Sequence, residues 1–138
     1  MLKSAFVAAT ALFALSTAAI ADTAGIAGPQ KFPGKTGKEL YETICQACHM
    51  PGGVGAVGAG FYPALAKNEK LAAAGYPVYV VLFGFHGMPP FGHYLDDDQI
   101  AAVVNYIRTN FGNVYDDKVT PADVKNNRDP NFDYPSLD

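Results

Sequence analysis

Cys45-Gln46-Ala47-Cys48-His49 is the stretch that decides how this chain folds. The spacing C-x-x-C-H is the attachment pattern of c-type haem. On a helix the three residues fall at i, i+3 and i+4, so two thiols and an imidazole leave one face within a single turn. Each thiol can form a thioether to a haem side group, and the histidine can reach the iron beneath the same ring. Two cysteines could instead pair as a disulfide or share a small zinc site. A redox C-x-x-C of thioredoxin type belongs with a strand-helix-strand pattern that is not visible here, and zinc would have only His86 and His93 to add to the three residues of the motif. Covalent haem c is the expectation, and a buried porphyrin would supply much of the apolar core that a short, loop-rich chain lacks.

Upstream, residues 1–3 make a short positive start, residues 4–20 an apolar run, and Ala19-Ile20-Ala21 an A-x-A cleavage pattern. This predicts a secretory signal peptide over residues 1–21 rather than a membrane anchor, since the apolar core has the length of a signal segment and small residues follow at once. Cleavage leaves nine basic against thirteen acidic residues, a net charge of −4 with histidine neutral. That is not a nucleic-acid surface, and no later segment is apolar enough to span a bilayer, so no transmembrane segment remains after cleavage.

Residues 22–35 read as an arm of Gly, Pro and Ala. Thr36 with Glu39 three residues on forms a capping-box pattern, which starts a helix running into the haem motif with Gly37, Leu40, Tyr41, Ile44 and Cys48 mostly on one face. The glycine-rich run 51–60 is expected to hold no regular element and to wrap a haem edge; it lacks the preceding strand and the Gly-Lys-Ser/Thr ending of a phosphate loop. Short helices are expected over 64–73 and 77–83, and the clearest over 96–110. Its stripe is Ile100, Val103, Val104 and Ile107, with Asp96-Asp97-Asp98 at its start and Arg108 near its end to suit the macrodipole. Thr120-Pro121 begins a last short helix to about 127. Residues 128–138 read as a frayed tail, the sharper alternative being that Phe132 and Tyr134 dock on a partner or on the domain itself.

One iron face remains to be filled. Met50 adjoins His49 and cannot reach the opposite side of the ring, and Met1 leaves with the signal peptide, so Met88, His86 and His93 remain. A methionine opposite histidine raises the potential of the iron. Met88 stands between Gly87 and Pro89-Pro90, an extended segment with little freedom that can hold a weak ligand at a fixed distance. Met88 is the expected ligand, and His86, which would give bis-histidine iron of lower potential, is its rival.

Gly37, Tyr41, Cys45, Cys48 and His49, then Pro63 and Leu65, Met88-Pro89, and Val103 with Tyr106-Ile107 together resemble the class I cytochromes c, from about residue 36 to 112. The resemblance implies an all-α cytochrome c fold in which the N- and C-terminal helices cross at right angles over a covalently bound haem, joined by loop-rich connections. It implies that Gly37 permits the close approach and that Pro63, Tyr41 and Phe91 belong to the haem pocket, the Pro63 carbonyl accepting the proximal histidine's Nδ1 hydrogen. The chain then divides into the signal peptide 1–21, the arm 22–35, a cytochrome c domain 36–112 and a C-terminal extension 113–138.

The runs 61–66, 87–92 and 105–113 look like cytochrome subunits that accept electrons from periplasmic or membrane-bound dehydrogenases. That implies a one-electron carrier in the periplasm, with a dehydrogenase as donor and an oxidase or another cytochrome as acceptor. His/Met iron has no open position for substrate, and no nucleophile-base pair, flavin or nucleotide motif is visible, so electron transfer rather than catalysis is expected. The alternative is a labile Met88 that dissociates and lets peroxide or a gas bind.

Overall fold

The computed structural model describes residues 32–58 and 60–135. The expected signal peptide and most of the arm lie outside the described residues. A helical rod, α1, runs over 37–49 as an α-helical turn Gly37–Leu40, a π-helical turn Tyr41–Cys45 and a second α-helical turn Gln46–His49. Its start is as the sequence predicts: the Glu39 amide donates to the Thr36 hydroxyl at 3.2 Å, and the Thr36 amide donates to the Glu39 carboxylate at 3.0 Å. The π turn is not foreseen. The Thr43 hydroxyl donates to the Glu39 carbonyl at 2.5 Å, a local competition of the kind that bends helices, while the Gln46 amide reaches back five residues to the Tyr41 carbonyl. The additional residue rotates the second half of α1 relative to the first. Leu40 and Tyr41 are therefore buried whereas Cys48 is exposed, and the single stripe expected from Gly37 to Cys48 is broken.

Three further helices follow: α2 is Gly75–Phe83, α3 is Asp97–Thr109 and α4 is Pro121–Asn127. α2 begins two residues before the expected Pro77, because first-turn amides have no helical partner and a proline there forfeits no bond. Residues 64–73, expected as a helix, hold only a 3₁₀ turn, Glu69–Ala72. Their amides are engaged elsewhere: those of Leu65 and Ala66 donate to the Gly53 carbonyl at 2.7 and 2.9 Å, and that of Asn68 to Asn113 Oδ1 at 2.9 Å. The glycine run, in turn, carries a regular element after all. Its β1, Ala56–Val57, pairs antiparallel with β2, Phe61–Tyr62, in the register Ala56 to Tyr62 and Val57 to Phe61.

α1 packs on α3 at Gly37. A Cβ added there would stand 2.6 Å from Tyr106 Cβ and closer still to the Ala102 carbonyl, so only glycine allows the approach. Beside this contact Tyr41 meets Tyr106 and Phe111 at ring-centroid distances of 5.7 and 4.8 Å. The stripe Ile100, Val103, Val104 and Ile107 is buried as expected. Arg108, read from the sequence as a charge suited to the helix end, is fully buried. Its Nε donates to the Leu71 carbonyl at 2.8 Å, its Nη2 to the Ala72 carbonyl at 3.1 Å and to Asp117 Oδ1 at 2.6 Å, and its Nη1 to the Asp117 carbonyl.

The core continues past Gly112, where Val119 and Val124 join it. Asn113 is buried, with Nδ2 donating to the Leu65 carbonyl at 2.8 Å and to the Ile107 carbonyl at 2.7 Å. Nor do the described residues after α4 fray: Arg128, Phe132 and Tyr134 fold back on the domain. We expect Gly37→Ala to lower the stability of the folded protein by about 2 kcal/mol in denaturant titration, the cost of forcing a methyl into a filled contact. An unaltered midpoint would contradict the close approach.

Candidate functional site

The last turn of α1 carries Cys45, half-buried, Cys48, exposed, and His49, buried. Both thiols are free. Burial pushes the Cys45 thiol up to about 12, and the neighbouring Cys48 adds a smaller push in the same direction.

Met50 closes the helix at φ 65° and ψ 159°, outside the regions a non-glycine residue favours. Two donors over-determine that conformation: the Tyr41 hydroxyl at 2.7 Å and the Gly53 amide at 3.0 Å both donate to the Met50 carbonyl. Burial, with a smaller contribution from Cys45, raises the Tyr41 hydroxyl to about 12, so it remains a protonated donor throughout the neutral range. Tyr41 is thereby held in the contact between α1 and α3.

The turn after Met50 brings the following strand back under the imidazole. The Gly55 amide donates to the His49 carbonyl at 2.9 Å, and His49 Nδ1 donates to the Pro63 carbonyl at 2.9 Å. A carbonyl can only accept, so the network assigns the ring proton to Nδ1 and leaves Nε2 as a lone pair. Among the described residues Nε2 has no hydrogen-bond partner. The Pro63 contact is as the resemblance implies.

α2 leads into a loop over 84–92 that presents Met88. Phe85 and Met88 exchange both backbone hydrogen bonds at 3.0 Å, and His86 takes φ 52° inside the tight turn between them. The base of the loop is closed where the Phe91 amide donates to the Val81 carbonyl at 2.8 Å and the Gly92 amide to the Leu82 carbonyl at 3.1 Å. Met88 and Phe91 are half-buried and pack against the core. His86 is exposed, its ring set against Phe85 at 4.2 Å, and His93 is exposed between Tyr94 and Tyr134. The Met50 carbonyl clamp is the part of this arrangement that sequence reasoning misses, since a tyrosine nine residues from its acceptor has no recognisable signature.

Two free thiols within one turn, an imidazole with Nε2 unengaged and a half-buried thioether form a donor set suited to a haem, and a poor one for zinc. Residues 33–107 match the family described as cytochrome c oxidase, cbb3-type, subunit III. The chain belongs to this family. It is a helical cytochrome c domain whose cofactor is one covalently bound haem c. Its relatives include the cytochrome c subunit of a quinone alcohol dehydrogenase from Gluconacetobacter polyoxogenes, 35% identical over 107 residues, which cover 67% of this chain and 22% of the relative. The fructose dehydrogenase cytochrome subunit of Gluconobacter japonicus is 32% identical over 92 residues, covering 56% of this chain and 19% of that protein. The cytochrome c subunit of 4-cresol dehydrogenase (hydroxylating) from Pseudomonas putida is 36% identical over 76 residues, covering 52% of this chain and 58% of its own length. The chain thus spans about a fifth of the length of the alcohol and fructose dehydrogenase subunits. Among the described residues of this cytochrome domain no helix is long and apolar enough to cross a membrane.

Tyr41→Phe removes one of two donors to the Met50 carbonyl while keeping the ring packing. It should lower stability by about 1 kcal/mol, the low end for a lost hydrogen bond because the Gly53 amide still serves the acceptor. The haem absorption spectrum should be unchanged, and a shifted spectrum would assign Tyr41 a direct part in the pocket.

Proposed function

We propose that this domain is a periplasmic one-electron carrier in which Cys45 and Cys48 hold the haem through thioethers while His49 Nε2 and Met88 Sδ take the two axial positions of the iron. The observation that carries the reading is the 2.9 Å bond from His49 Nδ1 to the Pro63 carbonyl. It holds the tautomer and ring orientation in which Nε2 can donate, and a hydrogen-bonded Nδ1 makes Nε2 a stronger donor. Met88 is favoured over His86 because it is half-buried against the core whereas His86 is exposed. Phe91 beside it would help keep water from the pocket. When bound, the haem supplies a one-electron iron couple, and a thioether opposite the imidazole favours the reduced form. The Gly37 contact supports the crossing of α1 with α3 over the haem that the family implies.

The dehydrogenase subunits among the relatives support a dehydrogenase as electron donor; in this reading an oxidase or another cytochrome is the acceptor. The predicted signal peptide over 1–21 supports export to the periplasm.

Met88→Ala should abolish the sulfur-to-iron charge-transfer absorption of the oxidised protein and lower its potential, and the unaltered reduced protein should take up carbon monoxide only slowly at neutral pH. An unchanged absorption in the variant would remove Met88 from the iron. Rapid carbon monoxide binding by the unaltered protein would favour the peroxide- or gas-binding alternative.

A further inference from the structure

The segment after α4 grips both stems of the loop that carries Met88. On the exit stem, Arg128 uses its whole guanidinium: Nη1 donates to the Gly92 carbonyl at 2.6 Å, Nη2 to the Leu95 carbonyl at 3.0 Å, and Nε to Asp97 Oδ1 at 2.6 Å. On the entry stem, Phe132 lies edge-on to Phe83, the last residue of α2, with centroids 4.8 Å apart. Tyr134 joins the two, 4.7 Å from the Phe132 ring and 5.8 Å from His93. Its hydroxyl stands, with the Leu82 carbonyl, in the space a side chain on Gly92 would need. A hollow of about 450 Å³ between loop and tail is lined by Phe83 to Pro90 together with Phe132 and Pro135.

From this arrangement we infer that residues 128–135 are a strap whose Arg128 and Phe132 position the Met88 loop and thereby hold the methionine on the iron. The inference rests on Met88 being the axial ligand. The physical reason is that a methionine-iron bond is weak and its loop has few anchors of its own. Among the described residues the backbone hydrogen bonds of the loop are the Phe85 to Met88 bridge and, at its base, those of the Gly84, Phe91 and Gly92 amides to Val80, Val81 and Leu82. A loop so tied opens locally unless its stems are fixed from outside. A forked guanidinium that accommodates two carbonyls and a carboxylate fixes the exit stem more rigidly than a lysine could.

The test compares the unaltered full-length haem protein with Arg128→Ala, Phe132→Ala and a chain lacking residues 128–138. Carbon monoxide uptake by the reduced protein should accelerate about tenfold in Arg128→Ala, the factor that one charge-assisted hydrogen-bonding group commonly contributes, at least as much in the truncated chain, and less in Phe132→Ala, where only ring contacts are lost. On warming, the charge-transfer absorption of the oxidised form should vanish while the helical circular dichroism is still intact. Arg128→Lys, which keeps the charge without the fork, should fall between. Ile107→Val, a core change on α3, should lower helix melting without accelerating uptake. The strap is overturned if the tail variants take up carbon monoxide like the unaltered chain, or if they lose the absorption only in step with helix melting. Met88→Ala distinguishes the two levels: an absorption that survives it overturns the ligand and the strap together. Loss of the absorption there, with tail variants indistinguishable from the unaltered chain, overturns the strap alone.

Discussion

α1 can lie against α3 only because residue 37 has no side chain, and most of the site follows from that contact. The missing methyl lets the rod rest on the Ala102 carbonyl and Tyr106, which brings Tyr41 into the aromatic group with Tyr106 and Phe111. Tyr41 in turn holds the Met50 carbonyl, so the helix stops where the imidazole of His49 meets Pro63. A chain of short contacts thus connects a packing constraint at one end of α1 to the orientation of a nitrogen at the other. Between them the π turn re-aims the second half of the rod, leaving Cys48 outside the buried stripe.

The remainder of the domain has little regular structure, and its carbonyls need donors. Polar side chains supply them. Arg108 serves Leu71, Ala72 and Asp117, Asn113 serves Leu65 and Ile107, and Gln99 serves Phe32 and Gly34. Buried carbonyls left unpaired would cost more than ordering these side chains does. Side-chain donors placed where two loops meet do the work that helix and sheet ladders do elsewhere, which accounts for a fully buried arginine in a small domain.

Legibility in the sequence followed the range of the interaction. The caps at Thr36 and Thr120 join residues three apart and were readable, whereas at Asp96 only the acidic start of the helix was read and not its capping box with Gln99. The stripe on α3 was equally local. Residues 64–73 misled because their helical composition was overruled by partners at Gly53 and Asn113. The tail misled for the same reason: Pro, Asp and Asn suggest fraying, whereas Arg128 meets its acceptors more than thirty residues away in the chain.

By itself the sequence determined the C-x-x-C-H donors of the haem domain, a methionine held between glycine and prolines, and most of the helices. Those are properties of residue type and short spacing, and the physics that reads them acts within a turn or two. Only the tertiary structure decided where Arg108 goes, how Tyr41 and Gly53 hold the Met50 carbonyl and what holds the Met88 loop at its stems. Each of these is a hydrogen bond or ring contact whose geometry exists only once the chain has closed on itself.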